Sequence, residues 1–152
     1  MRNIEERIGV LEDNLALTRL LNGYHLTLDR LDWDAWIEVF TADAEVNFIG
    51  GYGTMKGKAE IFERSTAAMR GAHERLQHVM LNLDFDIDCD AAQGTGDLLF
   101  AAIPKAAVPT RYFTAGGRYS WRFQRTPAGW RIAAMTLEFI WTNDVVEMTS
   151  PD

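Results

Sequence analysis

The spacing of apolar residues changes near residue 72, and this change constrains the fold more than any other feature of the chain. Between residues 4 and 28, apolar side chains recur mainly at steps of three and four, which is typical of an amphipathic helix. After residue 72 apolar and polar residues alternate, which indicates strands at 77–87, 94–103, 111–125 and 130–141. Helices followed by a meander of long strands are typical of an α+β fold.

Local signals divide the helical part further. Asn3 followed three residues later by Glu6 resembles a capping box, and Asp32 is a suitable N-cap for a short second helix. A strand is expected at 44–49 and a third helix at 58–69. Glycines within the later strands indicate strong curvature. We therefore expect one domain over residues 1–152, built as a cone-shaped, curved antiparallel sheet wrapped around the N-terminal helices.

Charge and composition exclude several classes of protein. The net charge is −7 and the Lys and Arg residues are scattered, which argues against binding to nucleic acid or to an anionic membrane. The lone cysteine, Cys89, fits a reducing compartment, and no apolar signal core or run of 18 apolar residues is present. We expect a cytoplasmic protein. No phosphate loop, dinucleotide fingerprint or metal-type cysteine spacing occurs, so no cofactor or metal is expected.

Three residues offer acid–base chemistry. Asp29 lies where the first helix is expected to end, His78 lies on the first long strand, and Tyr24 precedes Asp29 on the helix. An aspartate at a helix end is usually a cap, and a histidine on a strand is usually structural, so neither residue alone indicates catalysis. Together they form a base: a carboxylate on one imidazole nitrogen fixes the tautomer and stabilises the imidazolium. For Tyr24, a structural place in the apolar core and a role as proton donor are equally consistent with the sequence.

Several segments resemble the SnoaL-like family of the nuclear transport factor 2-like superfamily. They are the helix end from Tyr24 through the segment at 28–36, the segment at 40–44, Gly57, the pair His78 and Asn82, and the closing segment from Tyr119 to Ile132. Scytalone dehydratase, bile acid dehydratase and hexachlorocyclohexane dehydrochlorinase are relatives in this superfamily. The resemblance implies the cone-shaped fold, and it implies that Asp29 and His78 are the catalytic aspartate and the general base. Tyr24 corresponds to a tyrosine of the bile acid dehydratase, and Asn82 to an asparagine near the dehydrochlorinase site.

The residues and the resemblance together lead to a functional expectation. We expect a cofactor-independent lyase or isomerase, with dehydration first, acting on a small hydrophobic cyclic or aromatic substrate. Asn82 would hold a substrate oxygen. The pocket walls would be formed by Trp33, Phe48, Met55, Met80, Tyr112, Met135, Leu137 and Phe139. The alternative is a non-catalytic ligand-binding module, or a structural subunit resembling the small subunit of ring-hydroxylating dioxygenases.

Alternation along the first long strand leaves one structural question open. Val79, Leu81, Leu83, Phe85 and Ile87 share one face, opposite to His78. An outward apolar face of this size implies a homodimer or homotrimer, whereas a bulge within the strand would switch the two faces. His25 points about 100° away from Tyr24 and is expected at the surface. The loop at 104–109 is expected to be able to cover the site.

Overall fold

The computed structural model describes residues 3–143, which form three helices and six strands. The predicted order of helices followed by long strands is confirmed, whereas the short strand β2 was not predicted. The elements are α1 (Ile4–Asp29), α2 (Trp33–Ile37), β1 (Phe40–Ile49), β2 (Gly53–Lys56), α3 (Gly57–Met69), β3 (Arg75–Asp88), β4 (Ala91–Ile103), β5 (Phe113–Thr126) and β6 (Gly129–Thr142).

One curved sheet contains all six strands, in the order β2-β1-β6-β5-β4-β3. Neighbouring strands are antiparallel except for β1 and β6, which are parallel. The sheet is therefore mixed rather than wholly antiparallel. A tight hairpin forces antiparallel pairing only between consecutive strands, and β1 and β6 are separated by most of the chain.

Helix α1 begins with the predicted capping box, in which Asn3 and Glu6 each accept a hydrogen bond from the other's backbone N–H. Its C-terminal half is buried in the cone from Leu17 onward. In the N-terminal half the predicted apolar face is not buried, and Asp13 of this half accepts hydrogen bonds from Arg125 and Trp130 of the sheet. Four apolar residues of that half are exposed, namely Ile4, Ile8, Leu11 and Leu15. None of the described helices is long and apolar enough to cross a membrane.

A bulge in β3 answers the question about the faces of this strand. The register with β4 shifts between Leu81 and Asp84, and Asn82 within the bulge has a left-handed φ of 53°. Before the bulge His78 faces the inside of the cone. After it three apolar side chains pack against the core, namely Leu83, Phe85 and Ile87. Of the two alternatives, the structure therefore has the bulge that switches the faces and not one continuous outward apolar row.

Glycines let the sheet curve tightly around its core. A Cβ atom at Gly94 would lie 2.8 Å from a ring carbon of Phe85, and one at Gly96 would lie 2.8 Å from a methyl carbon of Leu83. The side chains that follow the β3 bulge therefore pack directly on the glycine backbone of β4. This packing closes one end of the cone and leaves the cavity at the other end.

Candidate active site

Asp29 and His78 are in direct contact where the end of α1 packs on β3. The Nδ1 atom of His78 lies 2.6 Å from Oδ1 of Asp29, and the backbone N–H of His78 donates to Oδ2 at 3.1 Å. The side chains are only 8% and 21% exposed, for His78 and Asp29 respectively. An ionised carboxylate can only accept, so this contact places the ring proton on Nδ1 and leaves Nε2 as the basic nitrogen.

Two further rings fix the plane of the His78 imidazole. The ring of His25 stacks on it nearly parallel, with ring centroids 5.2 Å apart and an angle of 11° between the planes. The ring of Phe100 is tilted relative to it, with centroids 4.6 Å apart. His25 is only 4% exposed, so the expectation that it lies at the surface is wrong. Burial, with a smaller contribution from the charge of His78, lowers the pKa of His25 to about 3. His25 is therefore neutral at physiological pH.

Tyr24 lies beside the catalytic candidates and lines the same cavity as His78. Its ring contacts His25 edge-on at 4.9 Å, and its hydroxyl is hydrogen bonded to that of Tyr119. Burial raises the pKa of both phenols above the usual value. Tyr24 is therefore a neutral phenol that can donate a hydrogen bond but does not readily lose its proton.

The cavity has a volume of about 420 Å³, and helices α1 and α3 and all six strands contribute to it. Its walls are mainly apolar and aromatic, as expected for a small-molecule site. Asp29 lies behind His78 and does not line the cavity. The loop at 104–109 does not line it either. The apolar lining consists of Leu28, Phe48, Ile49, Met55, Ala68, Met69, Leu98, Phe100, Phe113, Leu137 and Phe139.

The other residues expected at the site divide between the cavity and the rest of the fold. Phe48, Met55, Leu137 and Phe139 line the cavity. Trp33, Met80 and Met135 pack in or against the core without lining it, and Tyr112 is exposed.

Asn82 does not reach the cavity. It is exposed at the β3 bulge, and its Nδ2 donates to Oδ2 of Asp97 at 2.7 Å. The bulge turns this side chain away from the face that carries His78, so the expectation that Asn82 holds a substrate oxygen is wrong for this structure.

Polar residues that were not expected at the site also line the cavity, and three of them, Arg64, Ser65 and His73, lie on α3 or directly after it. The first two lie on α3 and the third in the loop that follows it. Their positions depend on how α3 docks against β1 and β2, and no local pattern indicates that docking. Among residues 3–143, no group of three His, Cys, Asp or Glu side chains is arranged to hold a metal ion.

Comparisons with solved structures agree with this fold. The chain is 28% identical to a candidate aromatic ring hydroxylase from Novosphingobium aromaticivorans, with a TM-score of 0.78 over 86% of this chain and 91% of that one. A nuclear transport factor 2-like protein with a cystatin-like fold from the same organism is 23% identical, with a TM-score of 0.76 over 91% and 88%.

A hexachlorocyclohexane dehydrochlorinase is 16% identical, with a TM-score of 0.79 over 96% of this chain and 97% of that one. At this identity the likeness shows the fold alone. Among curated protein sequences, none matches this chain significantly. The family model of the SnoaL-like domain matches residues 9–136. Since that match spans most of the chain and agrees with the observed fold, the protein belongs to the SnoaL-like family.

Proposed function

We propose that this protein is a cofactor-independent lyase that eliminates water from a small hydrophobic, cyclic or aromatic substrate. The observation that carries the proposal is the contact between Asp29 and His78 at the wall of an aromatic cavity. A carboxylate held on a histidine, with the other ring nitrogen free for substrate, is the arrangement that general base catalysis requires.

The reaction would proceed on His78. Its Nε2 takes a proton from a carbon of the substrate, the C–H electrons form the new double bond, and the hydroxyl group on the neighbouring carbon leaves. The imidazolium then returns the proton to the leaving oxygen, so that water is released and His78 is again neutral. Asp29 stays ionised and stabilises the imidazolium. Tyr24 donates a hydrogen bond to the leaving group or to a carbonyl that acidifies the carbon.

The same residues can also perform an isomerisation, in which the imidazolium returns its proton to a different carbon. Elimination is the preferred proposal for two reasons. The hexachlorocyclohexane dehydrochlorinase, whose fold is similar, is named for an elimination. The helix end from Tyr24 through the segment at 28–36 resembles the dehydratases of the superfamily more than it resembles the dehydrochlorinase.

The test uses two variants and one matched control. A panel of hydroxylated cyclic compounds is assayed by the ultraviolet absorbance of the new double bond. On a substrate found in this way, His78→Ala and Asp29→Asn are each expected to lower kcat by about 10²–10⁴-fold, the usual contribution of general base catalysis. Asp32→Asn alters an exposed carboxylate near Asp29 that caps α2, and should leave kcat unchanged. Near-wild-type turnover by both site variants would disprove the mechanism.

A non-catalytic role is the second candidate. The observation that favours it is the similarity to the candidate aromatic ring hydroxylase. A structural subunit resembling the small subunit of ring-hydroxylating dioxygenases would need no base of its own. It predicts ligand binding without turnover on every member of the panel. It also predicts that His78→Ala binds the same ligands as the wild-type protein.

A further inference from the structure

The wall of the cavity that belongs to α3 differs chemically from the other walls. We call Arg64, Ser65 and His73 the α3 wall, and all three line the same cavity as His78. The chain has 22 acidic residues and a net charge of −7. None of those within residues 3–143 lines this cavity. The cavity is therefore lined by one guanidinium, which is ion-paired with Glu60 of the same helix at 2.8 Å, and by no carboxylate among residues 3–143.

Arg64 is held rigidly in this wall. Its Nη1 donates to the backbone oxygen of Thr54 at 2.9 Å and to Oε1 of Glu60 at 2.8 Å, and its Nη2 donates to the backbone oxygen of Tyr52. Guanidinium has five N–H donors, so these bonds within the described chain leave two donors for a ligand. A side chain that is already fixed loses little conformational entropy when a ligand binds.

The other two residues of the α3 wall supply neutral hydrogen-bonding groups. The Ser65 hydroxyl makes a weak contact with the sulfur of Met55 at 3.9 Å. Burial lowers the pKa of His73, so its ring is neutral at pH 7. The Nδ1 atom of His73 is enclosed without a hydrogen-bond partner among the described residues. The α3 wall thus combines one fixed cation with a hydroxyl and an imidazole.

We propose that the α3 wall binds a carboxylate of the substrate, so that the substrate is a cyclic or aromatic carboxylic acid. This inference rests on the proposed function and names its substrate class. The planar guanidinium fork matches a carboxylate, and charge-assisted bonds of this kind are about twice as strong as neutral ones. The acid group would lie at α3 and the apolar ring along the aromatic lining, which brings the reacting carbon to His78.

The experiment compares two probes of equal shape and different charge. Isothermal titration calorimetry at pH 7 measures the binding of 2-naphthoate and of its neutral isostere 2-naphthamide to the full chain. The wild-type protein is expected to bind naphthoate about tenfold more tightly, which corresponds to one charge-assisted hydrogen bond. Arg64→Gln should abolish this preference, and Arg64→Lys should retain part of it. The matched control is Arg70→Gln, which removes an exposed cation at the end of α3 and should keep the preference.

Each outcome decides for or against the inference. Equal or tighter binding of the amide, no binding of naphthoate, or a preserved preference in Arg64→Gln would overturn it. Arg64 also donates hydrogen bonds to the backbone of Tyr52 and Thr54, so the Arg64→Gln variant can fail to fold. In that case the double variant Ser65→Ala/His73→Leu tests the inference instead. That variant should reduce the preference about threefold or more, because it removes both neutral hydrogen-bonding groups of the wall. An unchanged preference in it overturns the inference.

The binding preference for naphthoate does not depend on catalysis by His78. His78→Ala should keep the preference for naphthoate, because the α3 wall is intact in that variant. If the lyase proposal fails, turnover does not respond to changes in His78 and Asp29, whereas the binding preference remains. If the inference about the carboxylate fails, the preference is absent although turnover responds to those changes.

Discussion

His25 illustrates how a residue that its sequence position places at the surface can be buried in the folded protein. A histidine beside the apolar face of an amphipathic helix is usually solvated, but here it is enclosed and lies nearly parallel to the ring of His78. It is four residues before Asp29, so both side chains project from the same face of α1. Its Nε2 has no hydrogen-bond partner among residues 3–143, which is a costly arrangement for a buried polar atom.

The burial of His25 predicts that the stability of the folded protein depends on pH. Its pKa is about 3 in the folded protein and about 6.5 in the unfolded chain, so between these values only the unfolded state binds a proton at this site. The free energy of unfolding should therefore fall as the pH falls below about 6.5, by up to about 1.4 kcal/mol per pH unit from this group. His25→Phe keeps an aromatic ring and removes the titration.

Urea denaturation at pH 7, 6, 5 and 4 measures this contribution as the difference in slope between the two proteins. The wild-type protein should lose stability more steeply than His25→Phe over this range. Tyr24 and Tyr119 stay neutral in both proteins, so the difference in slope reports the removal of His25 together with its electrostatic coupling to His78. Parallel pH profiles for the two proteins would show that His25 is not buried as a neutral ring.

At the scale of elements, local signals were enough for most boundaries. The capping box at Asn3 begins α1, and α3 ends at Met69, both as the sequence predicts; Gly71, with a φ of 76°, follows. The β3 bulge could not be predicted, because it depends on one residue adopting a left-handed conformation and on which face meets the core. Strand β2 is four residues long, too short for alternation to identify it.

Asn82 provides a test of the bulge. Asparagine adopts positive φ more readily than most residues, and glycine does so without strain, whereas a β-branched residue is strongly disfavoured. Asn82→Gly and Asn82→Val both lose the hydrogen bond to Asp97, so they form a matched pair. We expect Asn82→Val to be less stable than Asn82→Gly by about 1–2 kcal/mol in urea denaturation. Equal stability would mean that the left-handed conformation is not required.

For the molecule as a whole, the sequence was sufficient for the fold class but only partly for the site. Asp29 and His78 are 49 residues apart, and they meet because α1 packs along β3. Their pairing could be inferred from chemistry and from the family resemblance. The residues that line the cavity could not be inferred in this way. They depend on which side chains of each strand point inward after the bulge, and on how α3 docks against the sheet. Residues from α3, such as Arg64, therefore remained unidentified until the structure was known.

The outer face of the sheet leads to a proposal about assembly. The register aligns Val79 with Leu99, Leu99 with Gly116, and Gly116 with Trp141. The three apolar side chains are 39–47% exposed, and they form a row across four strands. The neighbouring row carries the ion pair between Asp97 and Arg118. A two-fold related copy can bury the apolar row and pair these opposite charges between subunits, so we propose that the chain forms a homodimer through this face.

Light scattering tests this assembly directly. The wild-type protein at micromolar concentration should have twice the mass of one chain, and Leu99→Arg should reduce it to that of a single chain because a charge in the row opposes burial. Ile8→Arg is the matched control, since Ile8 is similarly exposed but lies on α1 rather than on the sheet. The mass of this control should equal that of the wild type. A wild-type protein with the mass of one chain would exclude the homodimer, and dissociation by Ile8→Arg alone would move the interface to α1.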